Sequence, residues 1–220
     1  MSEFNADIKI NHKQEATDII IRTIFWSVVP SIGLIFLCVL SSILLNYFAI
    51  DSELLITIIG QSLPLFICFA VIPITILKLK DRVELKEIGI SGNIQLLSGV
   101  LTTLLLIGVL LIVYLQIKQG NLNTLIPILI HLFFVALSEE VLTRGIIIRE
   151  LRKIFSNNIA LLLSALIFAF VFHSRENIVI NLIIRVPLGL VFGKTYLVTK
   201  NIYASVAMHW LYNLLSILYS

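Results

Sequence analysis

Six side chains able to move a proton, or to donate to a developing negative charge, stand among apolar neighbours: Glu139, Glu140, Arg144, His173, His209 and Asn213. The stretch "ALSEEVLTRGII" (residues 136–147) places two adjacent carboxylates and an arginine where the surroundings ask for hydrocarbon. Burying an ion is costly unless it is paired, so ionisable residues in such a setting mark functional candidates. Glu140 and Arg144 are four apart on one helical face and can pair, whereas Glu139 is rotated from them by about 100°. A packing role for the pair explains Glu140 and Arg144 and leaves Glu139 over. Two carboxylates this close in a low dielectric cannot both ionise cheaply, and one that holds or shares a proton is suited to acid–base work. His173 ends "FAFVFHSREN", where a lone histidine reads as an interfacial or packed residue. His209 and Asn213 in "SVAMHWLYNLL" share a face. Alone they would bridge helices by hydrogen bonds; beside an activated water, an imidazolium and an amide can donate to an oxyanion.

The elements that must position these groups follow from composition. The 220-residue chain is 59% hydrophobic and 13% charged, against about 25% charged in soluble domains, and its mean hydropathy is +1.03. This predicts an all-α, polytopic membrane protein. The net charge of +3 fits basic loops on one membrane side and implies no nucleic-acid partner. Cys38 and Cys68 lie in apolar segments and read as small inert hydrophobes. The polar, mixed-charge beginning lacks the pattern of a signal peptide, so the first apolar segment is expected to be retained.

Seven segments approach the ~20 apolar residues a spanning helix needs: about 24–49, 54–77, 94–117, 125–148, 158–174, 178–198 and 202–219. Loops rich in Lys and Arg (Lys9, Lys13, Arg22; Lys78, Lys80, Arg82, Lys86; Arg149, Arg152, Lys153; Lys194, Lys200) alternate with loops carrying none, Lys118 or Arg175. That alternation predicts seven crossings, with the N-terminus cytoplasmic and the C-terminus outside. Candidate residues then fall on helices 4, 5 and 7. At 1.5 Å per residue, Glu139 lies roughly 15 Å from the end of helix four, and His209 roughly 12 Å into helix seven. His173 lies about 24 Å along helix five. Helix five must therefore tilt, start below the interface, or end in a re-entrant turn.

"EEVLTR", a later single histidine and "HWLYN" resemble, in order, the EExxxR, histidine and HxxxN motifs of the CPBP (CAAX-protease and bacteriocin-processing, or Abi) intramembrane peptidases. "LKEIGI" is similar to the segment that precedes the family's core. The resemblance divides the chain into residues 1–84 (tail, first two helices and basic loop) and a peptidase core at 85–220. It implies a water activated by Glu139 with His173, oxyanion donation from His209 and Asn213, and Glu140 with Arg144 as an orienting pair. One motif departs from pattern: where the family writes FxxxH, Ala169 stands four residues before His173, flanked by Phe168 and Phe170.

The resemblance admits both glutamate-type and metallo-type chemistry. We expect no cofactor, with zinc held by Glu139, His173 and His209 as the alternative. HExxH and GxSxG are absent, and Asp7, Asp18, Asp51 and Asp81 all lie outside core spans, which excludes zincin, nucleophile-elbow and aspartyl-dyad readings. "GLVFG" (residues 189–193) reads as close helix packing, and His12 and His131 as solvated or structural. Expected partners are the bilayer and a peptide or membrane-protein substrate such as a pheromone or bacteriocin precursor. The Ile-, Lys- and Asn-rich composition points to a bacterial plasma membrane. The competing readings are a non-catalytic scaffold or immunity protein that keeps the polar core, and a small proton-coupled transporter, which the lack of an inverted repeat disfavours.

Overall fold

A computed structural model describes residues 2–90, 94–119 and 122–218. Among these the protein is helical with no strand, and each of the seven apolar segments falls on a helix. Helix α1 is Ser2–Tyr47, α2 Glu53–Lys80 and α3 Ile94–Gln119. Helix α4 comprises Leu122–Glu140, a π-helical stretch Val141–Ile148, and Arg149–Leu151. Helix α5 is Asn157–Phe172, α6 Ile178–Thr199 and α7 Ile202–Leu218. Four of the helical runs among the described residues (13–47, 53–80, 125–151, 178–199) are long and apolar enough to cross a membrane. Large apolar side chains along α1, such as Ile32, Ile35 and Phe36, are exposed, as lipid-facing residues are. The chain is an all-α, multi-pass membrane protein.

Helix α1 starts far earlier than its apolar segment. Its 46 residues span about 69 Å at 1.5 Å per residue, more than twice a ~30 Å hydrocarbon core. Its polar first half therefore continues the helix beyond the bilayer instead of forming a separate tail.

Wide π turns recur, and the sequence explains three of them. Pro64, Pro73 and Pro187 each stand two residues after a π segment (Ile58–Ser62, Ile67–Val71, Asn181–Arg185). Proline lacks an N–H for the carbonyl one turn back and its ring presses on it, and a wider turn relieves that contact. Two π segments have no proline to account for them. One is Val141–Ile148, which carries Arg144 and follows the two glutamates; the other is Phe168–Phe172, which leads into His173.

The eight residues Val141–Ile148 are all buried and form the centre of the protein. Trp26 of α1, Phe69 and Leu77 of α2, Ala160 of α5, and Ile202 and Val206 of α7 pack around them. The segment before α3 is pinned to this centre. Glu84 and Glu87 cap the short turn Leu85–Ile88 reciprocally, and Gly89 follows at φ +80° with its carbonyl accepting the Ile202 N–H at 2.9 Å. A Cβ on Gly145 would stand 3.0 Å from the Ile88 carbonyl oxygen, so glycine is what lets that loop touch the π segment. At the end of α4 the buried Glu150 is bound by Arg149 at 2.9 Å and Lys153 at 2.7 Å, with Arg22 of α1 at 3.4 Å. Arg22 also pairs with Asp81, and its guanidinium holds that carboxyl below its ordinary range.

The GxxxG of α6 packs as its spacing predicts. A Cβ on Gly189 would come within 3.0 Å of Ala165 Cα, and one on Gly193 within 2.4 Å of Leu161 Cδ1. Helix α6 thus meets the α5 backbone at Gly189, while the Leu161 side chain occupies the space over Gly193. Helix α5 stops at Phe172, His173 (φ −110°, ψ 35°) begins a turn, and α6 starts at Ile178.

Candidate active site

Helices α4 and α7 bring four of the six candidate groups together. Glu140 is fully buried; its Oε2 lies 3.1 Å from Arg144 Nε and its Oε1 3.0 Å from His209 Nδ1. A carboxylate only accepts, so Nδ1 of His209 carries the proton in that bond. The other ring nitrogen, Nε2, faces Glu139 Oε2 at 3.8 Å. His209 therefore stands between both carboxylates, and Glu139, which the sequence left without a partner, has one across the helix interface. The contact is longer than a hydrogen bond, and Glu139 Oε2 is buried with no hydrogen-bond partner. A carboxylate oxygen in that state is free to accept a proton.

The ring of His209 is held by aromatic packing that the sequence did not disclose. Phe192 of α6 stacks on it with centroids 4.9 Å apart, and Phe168 of α5 meets it edge-on at 5.6 Å. The Phe168 ring also contacts His173 at 4.7 Å and lies under the Arg144 guanidinium at 5.1 Å. One phenyl ring thus touches three of the six candidate residues. This accounts for the departure from FxxxH. Phe168 lies five residues before His173, and a π turn, which bonds residue i to i+5, brings residues with that spacing into register. The extra residue is absorbed by the wide turn Phe168–Phe172.

His173 is half-buried, and its ring folds back toward α5, with Nδ1 2.9 Å from the Phe168 carbonyl oxygen. A carbonyl only accepts, so Nδ1 carries the proton and a neutral ring keeps its lone pair on Nε2. Asn213 is buried one turn beyond His209 on the same helix. Among the described residues, no three His, Cys, Asp or Glu side chains are grouped so that they could hold a metal ion.

Supporting polar groups complete the site. Arg144 Nη1 donates to Ser164 Oγ at 3.2 Å, which in turn donates to the Thr143 carbonyl at 3.1 Å. Ser205 of α7 sets a buried hydroxyl beside Glu140. Serines in apolar helices commonly bond their own backbone, as Ser27 and Ser41 do here, so nothing in the sequence singles out Ser164 and Ser205. His131 pairs with Ser62 at 3.1 Å, which is a packing contact between α4 and α2.

The comparisons with known proteins fit this arrangement. Residues 121–215 match the family described as type II CAAX prenyl endopeptidase Rce1-like. No curated protein and no solved structure matches the chain. The matched stretch runs from the beginning of α4 into α7 and contains all six candidate residues. The match covers less than half of the chain and marks this stretch as similar to that family. It agrees with the CPBP resemblance of the sequence motifs.

Proposed function

We propose that the protein is a metal-free intramembrane endopeptidase in which Glu139 is the general base. The observation that carries the reading is the placement of His209 between Glu140 at 3.0 Å and Glu139 at 3.8 Å, with one Glu139 oxygen left unpaired. Glu139, assisted by His173 through its free Nε2, removes a proton from water as the oxygen attacks the peptide carbonyl. The oxyanion is met by His209 and Asn213 from α7. Glu140 and Arg144 hold His209 in its tautomer and position. The proton then passes to the leaving amine. A scaffold has no need of an unpaired buried carboxylate beside an imidazole, and this favours the enzyme over the non-catalytic reading.

The test is hydrolysis of peptide and membrane-protein substrates by the purified protein in nanodiscs, with metal content measured on the same sample. Cleavage should persist in excess chelator, without stoichiometric metal. Stoichiometric zinc, with activity lost on chelation and restored by zinc, would replace the glutamate mechanism with a metal-dependent one.

The orientation proposed is that of the loop charges: N-terminus cytoplasmic, C-terminus outside, in a bacterial plasma membrane with seven crossings. Reporter fusions after Ile50, Gly120 and Ser220 should report outside, and fusions at Arg82 and Arg152 inside. A cytoplasmic C-terminus would remove one crossing and break the scheme.

A further inference from the structure

Helix α6 holds none of the six candidate residues, yet its first wide turn sets a buried amide against one of them. Asn181 is 2% exposed, and its Nδ2 lies 3.0 Å from the main-chain oxygen of His173. That oxygen can only accept, so the donating end of the amide faces it and Oδ1 points away, buried and without a hydrogen-bond partner. The same turn is tied again by Asn177, whose Oδ1 accepts the Val179 N–H at 2.8 Å and whose carbonyl accepts the Asn181 N–H at 2.9 Å. His173 is thus held from two helices: its ring by the Phe168 carbonyl of α5 and its main chain by the Asn181 amide of α6.

A buried amide satisfied at one end only costs stability, so fold stability does not account for it. Its neighbours Leu182 and Ile183 are exposed and apolar, which makes the inward-facing asparagine the exception in its turn. We propose that Asn181 is a positioning residue of the peptidase, fixing where Nε2 of His173 stands relative to Glu139. The proposal rests on the function given above and adds a residue and a helix to it. The π turn that opens at Asn181 is the one explained by Pro187, so the proline two residues past that turn contributes to presenting the amide.

The experiment compares Asn181→Leu and Asn181→Asp with wild type in nanodiscs. Misplacement of a catalytic group by ~1 Å costs up to about 10²-fold in rate. Asn181→Leu, which keeps the volume, should therefore lower kcat by about 10–100-fold and leave KM within roughly twofold. Asn181→Asp should lose as much at high pH and recover relative to wild type as pH falls, because a protonated carboxyl can donate to the His173 carbonyl and leucine cannot. Independently of turnover, acylation of His173 by diethyl pyrocarbonate, read by mass spectrometry, should be faster in Asn181→Leu than in wild type. Wild-type kcat in both variants, or reduced kcat with unchanged His173 labelling, would overturn the assignment. A wild-type protein that cleaves nothing would fail the peptidase reading instead, and the labelling would still decide whether Asn181 holds His173.

Discussion

Glu139→Gln is expected to lower peptide turnover by about 10²–10⁴-fold, the share that a general base contributes, while folded protein stays in the membrane. Glutamine keeps the shape of the side chain and loses only the capacity to take a proton. Little structure depends on that carboxylate, since Glu139 Oε2 has no hydrogen-bond partner and lies 3.8 Å from His209. Glu140→Gln should behave differently. It removes the charge that pairs Arg144 at 3.1 Å and the acceptor of His209 Nδ1 at 3.0 Å. Breaking a buried ion pair from one side costs about 3–5 kcal/mol, so melting temperature should fall together with activity. Turnover and thermal stability measured on both variants separate the two roles. A Glu139→Gln protein that cleaves at the wild-type rate would take the base away from Glu139, and equal stability loss in both variants would make the two glutamates one structural unit.

His209→Ala and Asn213→Ala are each expected to reduce turnover by about 10²–10³-fold, or roughly 2.7–4 kcal/mol of transition-state stabilisation. Peptide affinity should change little. Helix-bridging hydrogen bonds alone would contribute about 0.6–2 kcal/mol and would lower stability and activity together. The geometry makes Asn213 the cleaner probe, because His209 also holds Glu140 and stacks on Phe192 at 4.9 Å. His209→Ala will therefore carry some loss of stability in addition. Groups that act as one unit are not additive, so the double variant should be barely slower than the slower single variant. Turnover, affinity and melting temperature for the three proteins decide the matter. Activity that falls only in proportion to folded protein would return both residues to packing and favour a non-catalytic scaffold.

The placement of the helices was determined by composition and apolar run length. All seven segments lie on helices because the need to satisfy every backbone group in lipid leaves a chain this apolar little else to form. The pairing of Glu140 with Arg144 was also open to sequence reasoning, since both lie on one element with fixed spacing. The close approach of Gly189 and Gly193 to α5 likewise follows from residues that share a face and have no side chain.

What the sequence could not determine is which polar and aromatic groups meet across helices. The partner of Glu139 is on α7, 70 residues away along the chain, and no periodicity within α4 points to it. The hub role of Phe168 was hidden because one phenylalanine in an apolar helix resembles any other, and because the wide turn Phe168–Phe172 has no proline to signal it. The placement of the His173 ring could not be read from a uniform rise of 1.5 Å per residue, since α5 stops at Phe172 and the ring folds back toward Phe168. Asn181, too, acquires its meaning only when α6 returns along α5 and brings its amide to the His173 carbonyl. A sequence specifies which groups are available on each helix, but which groups face one another depends on how close two helices can pack and where each is widened. In this protein those choices involve two glycines and two π turns that no proline marks.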